Sequence, residues 1–266
     1  MSRVAAFAGR WLVLAGALLV WEIAARASAS LYFPPITTIL DQGRALWLTG
    51  DASSLWLSAT VFDDILPSIG RALSGLAIAV VIGVALGTAL GRSRTGMDYV
   101  GPLFAFFRAI PPPTLIPVFL VLLKIGTPMQ VTTIVFGCVW PILLNTVDGV
   151  RTVDRTQTDT ARAFRIPRTA WLTTVVLPAA MPKIFAGLRL SMSIAVLLMV
   201  ISELVATTNG IGYQLLFAQR QFDFPKMWAW IMLLGVIGYG LNTALLAVEG
   251  RTLRWQPSRQ DLARLS

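Results

Sequence analysis

The chain has 266 residues and a formal charge of +9, yet only 13% of its residues are charged and 56% are hydrophobic. A soluble domain carries about 25% charged residues, so a water-coated globule is excluded and an all-α polytopic membrane protein is expected, in keeping with the mean hydropathy of +0.71. The basic residues lie in short runs between apolar segments rather than in one patch or stripe, which argues against a nucleic-acid partner and fits the positive-inside pattern.

A membrane helix needs about 20 mainly apolar residues. Six runs qualify, at 4–25, 69–90, 104–123, 131–147, 184–206 and 228–248. The Lys and Arg between them set the orientation. Arg3, Arg10, Arg92, Arg94, Arg151, Arg155, Arg162, Arg165, Arg168, Lys183, Arg251, Arg254, Arg259 and Arg264 fall on one side. Only Arg26, Arg44, Lys124, Arg220 and Lys226 fall on the other. Both termini are therefore expected in the cytoplasm.

In chain order, the first run has two readings. Arg3 and Arg10, the apolar core WLVLAGALLVW and the small residues of AARASAS fit a cleavable signal peptide. Glu22 directly after the core favours a retained anchor. The outer segment 27–64 is either a solvated loop or a short amphipathic helix at the membrane surface, through Ile36, Ile39, Leu40, Leu46 and Trp47. Asp63 and Asp64 are expected to face the outer compartment, where a soluble partner would meet them. In the second run, Gly83, Gly87 and Gly91 form a ridge of small residues suited to close helix packing. The third is interrupted by Pro111, Pro112, Pro113 and Pro117. Either the span is broken at membrane depth, with its freed backbone groups re-satisfied, or the prolines mark its interfacial start.

Between the fourth and fifth runs lies the longest cytoplasmic connection, 148–183. DRTQTDTARAFR contains neither Gly nor Pro, and Asp154 followed by Gln157 resembles a capping box. Pro167 closes this helix and opens a second, RTAWLTTVV, expected to stop before Pro178. Ala161, Phe164 and Ile166 give the first helix a small apolar side, while Arg155, Asp159 and Arg162 stay wet. Two short helices of this kind present a knob to a cytosolic partner.

This loop resembles the EAA motif of ABC-importer permeases, a Glu-Ala-Ala triplet with a following glycine and a later Ile-x-Leu-Pro. Asp159 takes the Glu place, Thr160 and Ala161 the two Ala places, Arg165 the glycine place and Val175 the Ile place, while Leu177 and Pro178 match outright. Over roughly residues 10–256, RAIPPPTLIPVFLVLLKIG, PILLNTVDGVRTVD, LPAAMPKIFAGLRLSMSIAVLLMVISELVA, NGIGYQLLFAQRQFD and VEGRTLRWQ look like the nitrate/sulfonate/taurine branch of these permeases.

The resemblance implies a type I importer fold with six helices and a permease dimer, expected to be a homodimer. It implies two ATPase subunits docked beneath and a substrate-binding protein delivering a small, anionic solute from outside. ATP and Mg would sit on the partner ATPase, with no cofactor on this chain. The helix around Asp159 would be the coupling helix, with Asp159, Thr160, Ala161, Arg162, Phe164, Arg165, Leu177 and Pro178 as its ATPase-coupling residues. Arg165 departs from the family's glycine. An Arg in the left-handed conformation is disfavoured by about 1 kcal/mol, so the turn is expected to move to Ile166-Pro167.

Polar residues inside spans are expensive and face a cavity or a partner. Glu203 is a candidate for the translocation path or gate, or for pairing within the bundle. Arg189 and Arg108 are candidates for steering an anion or for snorkelling at helix ends. Asn145, Ser191, Ser193 and Asn242 bond between helices or line the path, Glu22 is structural, and Met192, Met199 and Met232 pack.

The chain has no His, a lone cysteine at Cys138 and no phosphate-cradling G-x-x-x-x-G-K-[ST] loop. A membrane enzyme is accordingly disfavoured, and ATP hydrolysis by this chain is excluded. A stand-alone secondary transporter or channel is the alternative to the permease, but an ion-coupled carrier has no use for the knob.

Overall fold

The computed structural model describes residues 3–205 and 207–255. Arg259 and Arg264 of the cytoplasmic set, Ala206 at the end of the fifth expected span and Gln256 lie outside the described residues. The described chain is helical: α1 (Arg3–Ser28), α2 (Ile36–Trp47), α3 (Leu66–Gly91), α4 (Arg94–Ala109), α5 (Ile116–Leu123), α6 (Thr127–Val150), α7 (Arg155–Ala163), α8 (Arg168–Trp171), α9 (Leu177–Val205), α10 (Ile211–Arg220) and α11 (Phe224–Thr252). Five stretches are long and apolar enough to cross a membrane, namely Trp11–Ser28, Val61–Gly91, Thr127–Val150, Arg168–Val205 and Phe224–Thr252. The bent pair Thr95–Ala109 and Pro112–Leu123 makes a sixth if the two helices count as one span.

The residues form two compact units, one of the described chain up to Ser68 with Thr208–Val236, the other of Ile69–Thr207 with the described residues from Ile237 onward. In the first unit, aromatic and polar contacts tie α1 to α2 and to the short turn between them. Trp21 stacks on Phe33 at 4.6 Å and donates Nε1–H to the Pro34 carbonyl at 3.1 Å. Glu22 accepts from Arg26 Nε at 2.7 Å and from the Thr37 hydroxyl at 2.9 Å, the structural role expected of it. The outer segment contains a true helix, α2, rather than only a loop. Its Ile36 and Ile39 are buried and Trp47 meets Trp230 edge-on at 5.4 Å, while Leu40 points away at 58% exposure.

The core of the second unit is the pairing of α6 with α3 and α9. A Cβ added at Gly75, Gly83, Gly87 or Gly91 of α3 would run into Ile134, Ile142, Thr146 or Val150 of α6 at 2.6 to 2.9 Å. The ridge expected from the sequence is thus an intrachain seam, extended by Gly75. The residue-number offset is the same for all four pairs, so α3 and α6 run in the same direction. The connection between them must therefore bring the chain back along the full seam.

That return is made by α4 and α5, bent by 82° at the prolines. The helix is accordingly interrupted at the prolines, α4 ending before them and α5 starting after them. Pro111, Pro112 and Pro113 have no N–H to continue a helix, and the Pro111 carbonyl freed at the break accepts from Thr114 N at 3.0 Å and Thr114 Oγ1 at 2.7 Å. Phe104 and Phe107 of α4 lie against Trp140 of α6, and Ile116 of α5 packs on Met129.

On its other side α6 meets α9 just as closely. Gly149 abuts the Ala180 backbone, Gly187 abuts the Pro141 carbonyl, and Gly137 faces Leu198. Ser191 Oγ donates to the Cys138 carbonyl at 2.8 Å and Cys138 Sγ donates back to the Ser191 carbonyl at 3.3 Å. Ser191 is therefore an interhelical bond. Met192 and Met199 are buried among these helices, as packing residues should be.

Candidate functional site

The connection after α6 is rooted before it is exposed. Val150, Val176, Ala180 and Ile184 form one buried cluster, against which Val153, Trp171 and Leu172 pack. From this base α7 projects. Asp154 caps it in extended conformation, accepting from Thr156 N at 3.4 Å. Ala161 is buried, whereas Phe164 is 76% exposed on the outer side of the turn. Thr160 turns its hydroxyl back onto the Thr156 carbonyl at 2.8 Å. Asp159 and Arg162 pair at 3.4 Å with both side chains in solvent, a contact worth little by itself.

The end of α7 corrects one expectation. Arg165 does adopt the left-handed conformation, with φ of 50°, so the turn has not moved to Ile166-Pro167. Ile166 N donates to the Ala161 carbonyl at 2.9 Å and Arg165 N to the Arg162 carbonyl at 3.0 Å. These are the two bonds of a Schellman motif. Satisfying two orphan carbonyls outweighs the steric cost of a side chain at φ > 0. Pro167 then stops any continuation.

A second correction concerns Pro178. The helix begun at α8 does not stop before it but runs on through a π-helical turn, Leu172–Val176, into α9. A proline ring clashes with the carbonyl four residues back in a regular helix, and the wider π turn ahead of Pro178 makes room for it. Leu177 and Pro178 therefore head the fifth span itself.

The remaining candidates are scattered. Glu203 is 1% exposed and accepts from Arg71 Nη1 at 2.8 Å, joining α9 to α3 in a buried ion pair. Arg189, exposed on α9, reaches Glu249 of α11 at 3.0 Å. Arg108 is exposed in the last turn of α4. Asn145 spends its amide on the Pro141 carbonyl one turn back, at 2.8 Å. The structure does not bring these four together.

Of Asp63 and Asp64, the first is exposed as expected and the second is not. Asp64 is buried at 5% exposure instead of facing a soluble partner. Its carboxylate accepts from Gly210 N and from Gln214 Nε2, both at 2.8 Å, at the N-terminus of α10, where the helix dipole favours an anion. Ser68 Oγ accepts from Ile211 N beside it. The Asp63 carbonyl, four residues before Pro67, accepts from Asn209 Nδ2 at 2.9 Å. No local signal announced this cap, because its two halves are about 146 residues apart.

Residues 75–252 match the family described as binding-protein-dependent transport system inner membrane component. The chain belongs to this family.

The permease is 30% identical over 241 residues to the bicarbonate transport system permease protein CmpB of Synechococcus elongatus, covering 90% of this chain and 87% of that one. It is 27% identical over 244 residues to the taurine transport system permease protein TauC of Escherichia coli, covering 91% and 87%. It is 27% identical over 232 residues to the nitrate import permease protein NrtB of Synechocystis, covering 87% and 84%. Among solved structures, a chain of the MetNI methionine ABC transporter in an inward-facing conformation superposes with a TM-score of 0.63 at 17% identity, over 71% of this chain and 94% of that one. That likeness speaks for the fold alone, a type I importer permease. The permease is thus an inner-membrane subunit of an ABC importer, and the reading of a stand-alone carrier or channel is set aside.

Proposed function

We propose that the permease works as a homodimer on two cytosolic ATPase subunits, with α7 as the coupling helix and both termini in the cytoplasm. The observation that carries this is Phe164, a large apolar side chain 76% exposed at the tip of a short helix whose base is firmly packed. An apolar anchor held out in this way is suited to a partner's pocket. Coupling is then mechanical: α7 is rooted on α6 and α9, so ATP-driven closure of the ATPases moves those helices directly.

The cargo we propose is a small oxyanion handed over by a substrate-binding protein. Bicarbonate, nitrate and taurine, named for three relatives, each present a compact negatively charged oxygen group. The exposed Arg108 is one cation available to attract such a group, whereas Arg189 is already paired with Glu249.

Co-purification tests the assembly. The tagged permease should bring down a cytosolic ATPase, and its consistent absence from the purified material would overturn the reading. Orientation is checked with Phe164→Cys, since the native Cys138 is buried. A membrane-impermeant maleimide should label it in inverted vesicles but not in intact cells. The ligand of the neighbouring binding protein identifies the cargo, and a cationic or apolar ligand would defeat the oxyanion assignment.

A further inference from the structure

Two cavities of the second unit meet at one side chain. One is a polar cleft of about 630 Å³ between the end of α3, the end of α6 and the base of α7, lined by Arg92, Arg151, Arg162 and Thr158, with Asp98 as its carboxylate. The other is an apolar groove of about 760 Å³ between α3 and α9. Arg92 lines both.

The groove is built from two matching stripes. Val81, Ala85 and Thr88 recur at i, i+4 and i+7 on α3, with Arg92 just past its last residue Gly91, and Leu177, Met181 and Ile184 repeat that spacing on α9. From Val80 to Gly91 the helix rises about 17 Å, close to one leaflet of a hydrocarbon core about 30 Å thick. Thr88 lines the groove at 8% exposure with a hydroxyl that has no hydrogen-bond partner among the described residues.

We propose that cleft and groove together bind one anionic phospholipid, with its phosphate among Arg92, Arg151 and Arg162 and an acyl chain along the stripes of α3 and α9. The charge is complementary: with Arg162 offset by Asp159, Arg92 and Arg151 against the carboxylate of Asp98 leave the described lining cationic. Arg162 has its exposed contact to Asp159, whereas Arg92 and Arg151 form no ion pair among the described residues. A free anion would use the cleft and leave the groove empty. A lipid uses both. The leaflet is the one nearer α7. The inference rests on the membrane placement of α3 and α9 and not on ATPase docking, so it stands or falls separately from the coupling assignment.

Native mass spectrometry of the detergent-purified full chain tests it, with phosphatidylglycerol and phosphatidylcholine titrated side by side. Wild type should retain one phosphatidylglycerol at a concentration about tenfold below that needed for phosphatidylcholine, the preference expected of cations beside an anionic headgroup. The double variant Arg92→Gln/Arg151→Gln should lose this preference and Arg92→Lys/Arg151→Lys should keep it, which separates lost charge from lost folding. Ala85→Trp, filling the groove, should weaken retention of both lipids. Equal retention of the two lipids by wild type would overturn the proposal. So would competition by inorganic phosphate that Ala85→Trp leaves unchanged, which marks a free-anion site. Disulfide cross-linking of Ala85→Cys between two copies in membranes would also overturn it, because a second copy would then cover the groove.

Discussion

Arg165 holds a conformation that its side chain disfavours, and the two hydrogen bonds it secures explain why. Removing the side chain while keeping the turn should help: Arg165→Gly is expected to stabilise the loop by about 1 kcal/mol, because glycine reaches positive φ without steric cost. Limited proteolysis between Arg162 and Arg168 should slow accordingly, and faster cleavage would show that the Arg side chain makes a contact of its own. Asp64 makes the opposite case. Asp64→Ala strands a backbone N–H and a Gln214 amide and should lower stability by about 1–3 kcal/mol, read as a fall in melting temperature in detergent. The difference in legibility has a physical source. Asp154 could be read as a cap because its partner is two residues away, whereas the partners of Asp64 lie on a distant helix. The positive φ at Arg165 was missed because a local steric preference was weighed without the two carbonyls that needed donors.

Among elements, the seam between α3 and α6 carries the sharpest expectation. A methyl at Gly87 would sit 2.6 Å from Thr146 Cβ and 2.7 Å from the Leu143 carbonyl, whereas at Gly235 of α11 no described atom lies within 4 Å. Gly87→Ala should therefore destabilise by about 1–3 kcal/mol, the range for overpacking. Gly235→Ala should be neutral or slightly stabilising, and equal melting shifts for the two would contradict the seam. The pair Arg71–Glu203 ties α3 to α9 by charge. Glu203→Gln removes the negative charge facing Arg71 and should cost about 3–5 kcal/mol, whereas Arg71→Met/Glu203→Leu should recover most of that loss. Apolar length and glycine spacing were open to reading because both are properties of one helix. The passage through Pro178 was not, since it depends on whether neighbouring groups can absorb a lost hydrogen bond, and Pro111–Pro113 left two readings open for the same reason.

For the whole molecule, coupling to ATP hydrolysis should depend on a few exposed side chains. Phe164→Ala and Asp159→Lys are expected to lower transport-coupled ATPase activity about tenfold or more, as loss of an interface anchor does, without changing the melting temperature of the isolated permease. Unchanged coupled hydrolysis in both variants would remove α7 from the coupling role. The knob could be located from composition, since a charged, Thr-rich stretch between apolar runs has to lie outside the bilayer. Which of its residues are rooted and which are free needed the packing of Val150, Val176 and Ala180.

The glycine seam has a mechanical consequence. From Gly75 to Gly91 the two helices interlock over about 24 Å, with backbone of one against side chains of the other at four positions. Sliding by less than a full helical turn, about 5.4 Å, would drive each of these into its neighbour. The pair therefore tilts together rather than slides, and Pro141 of α6, with no N–H to donate, is the point within the seam where that helix yields most readily.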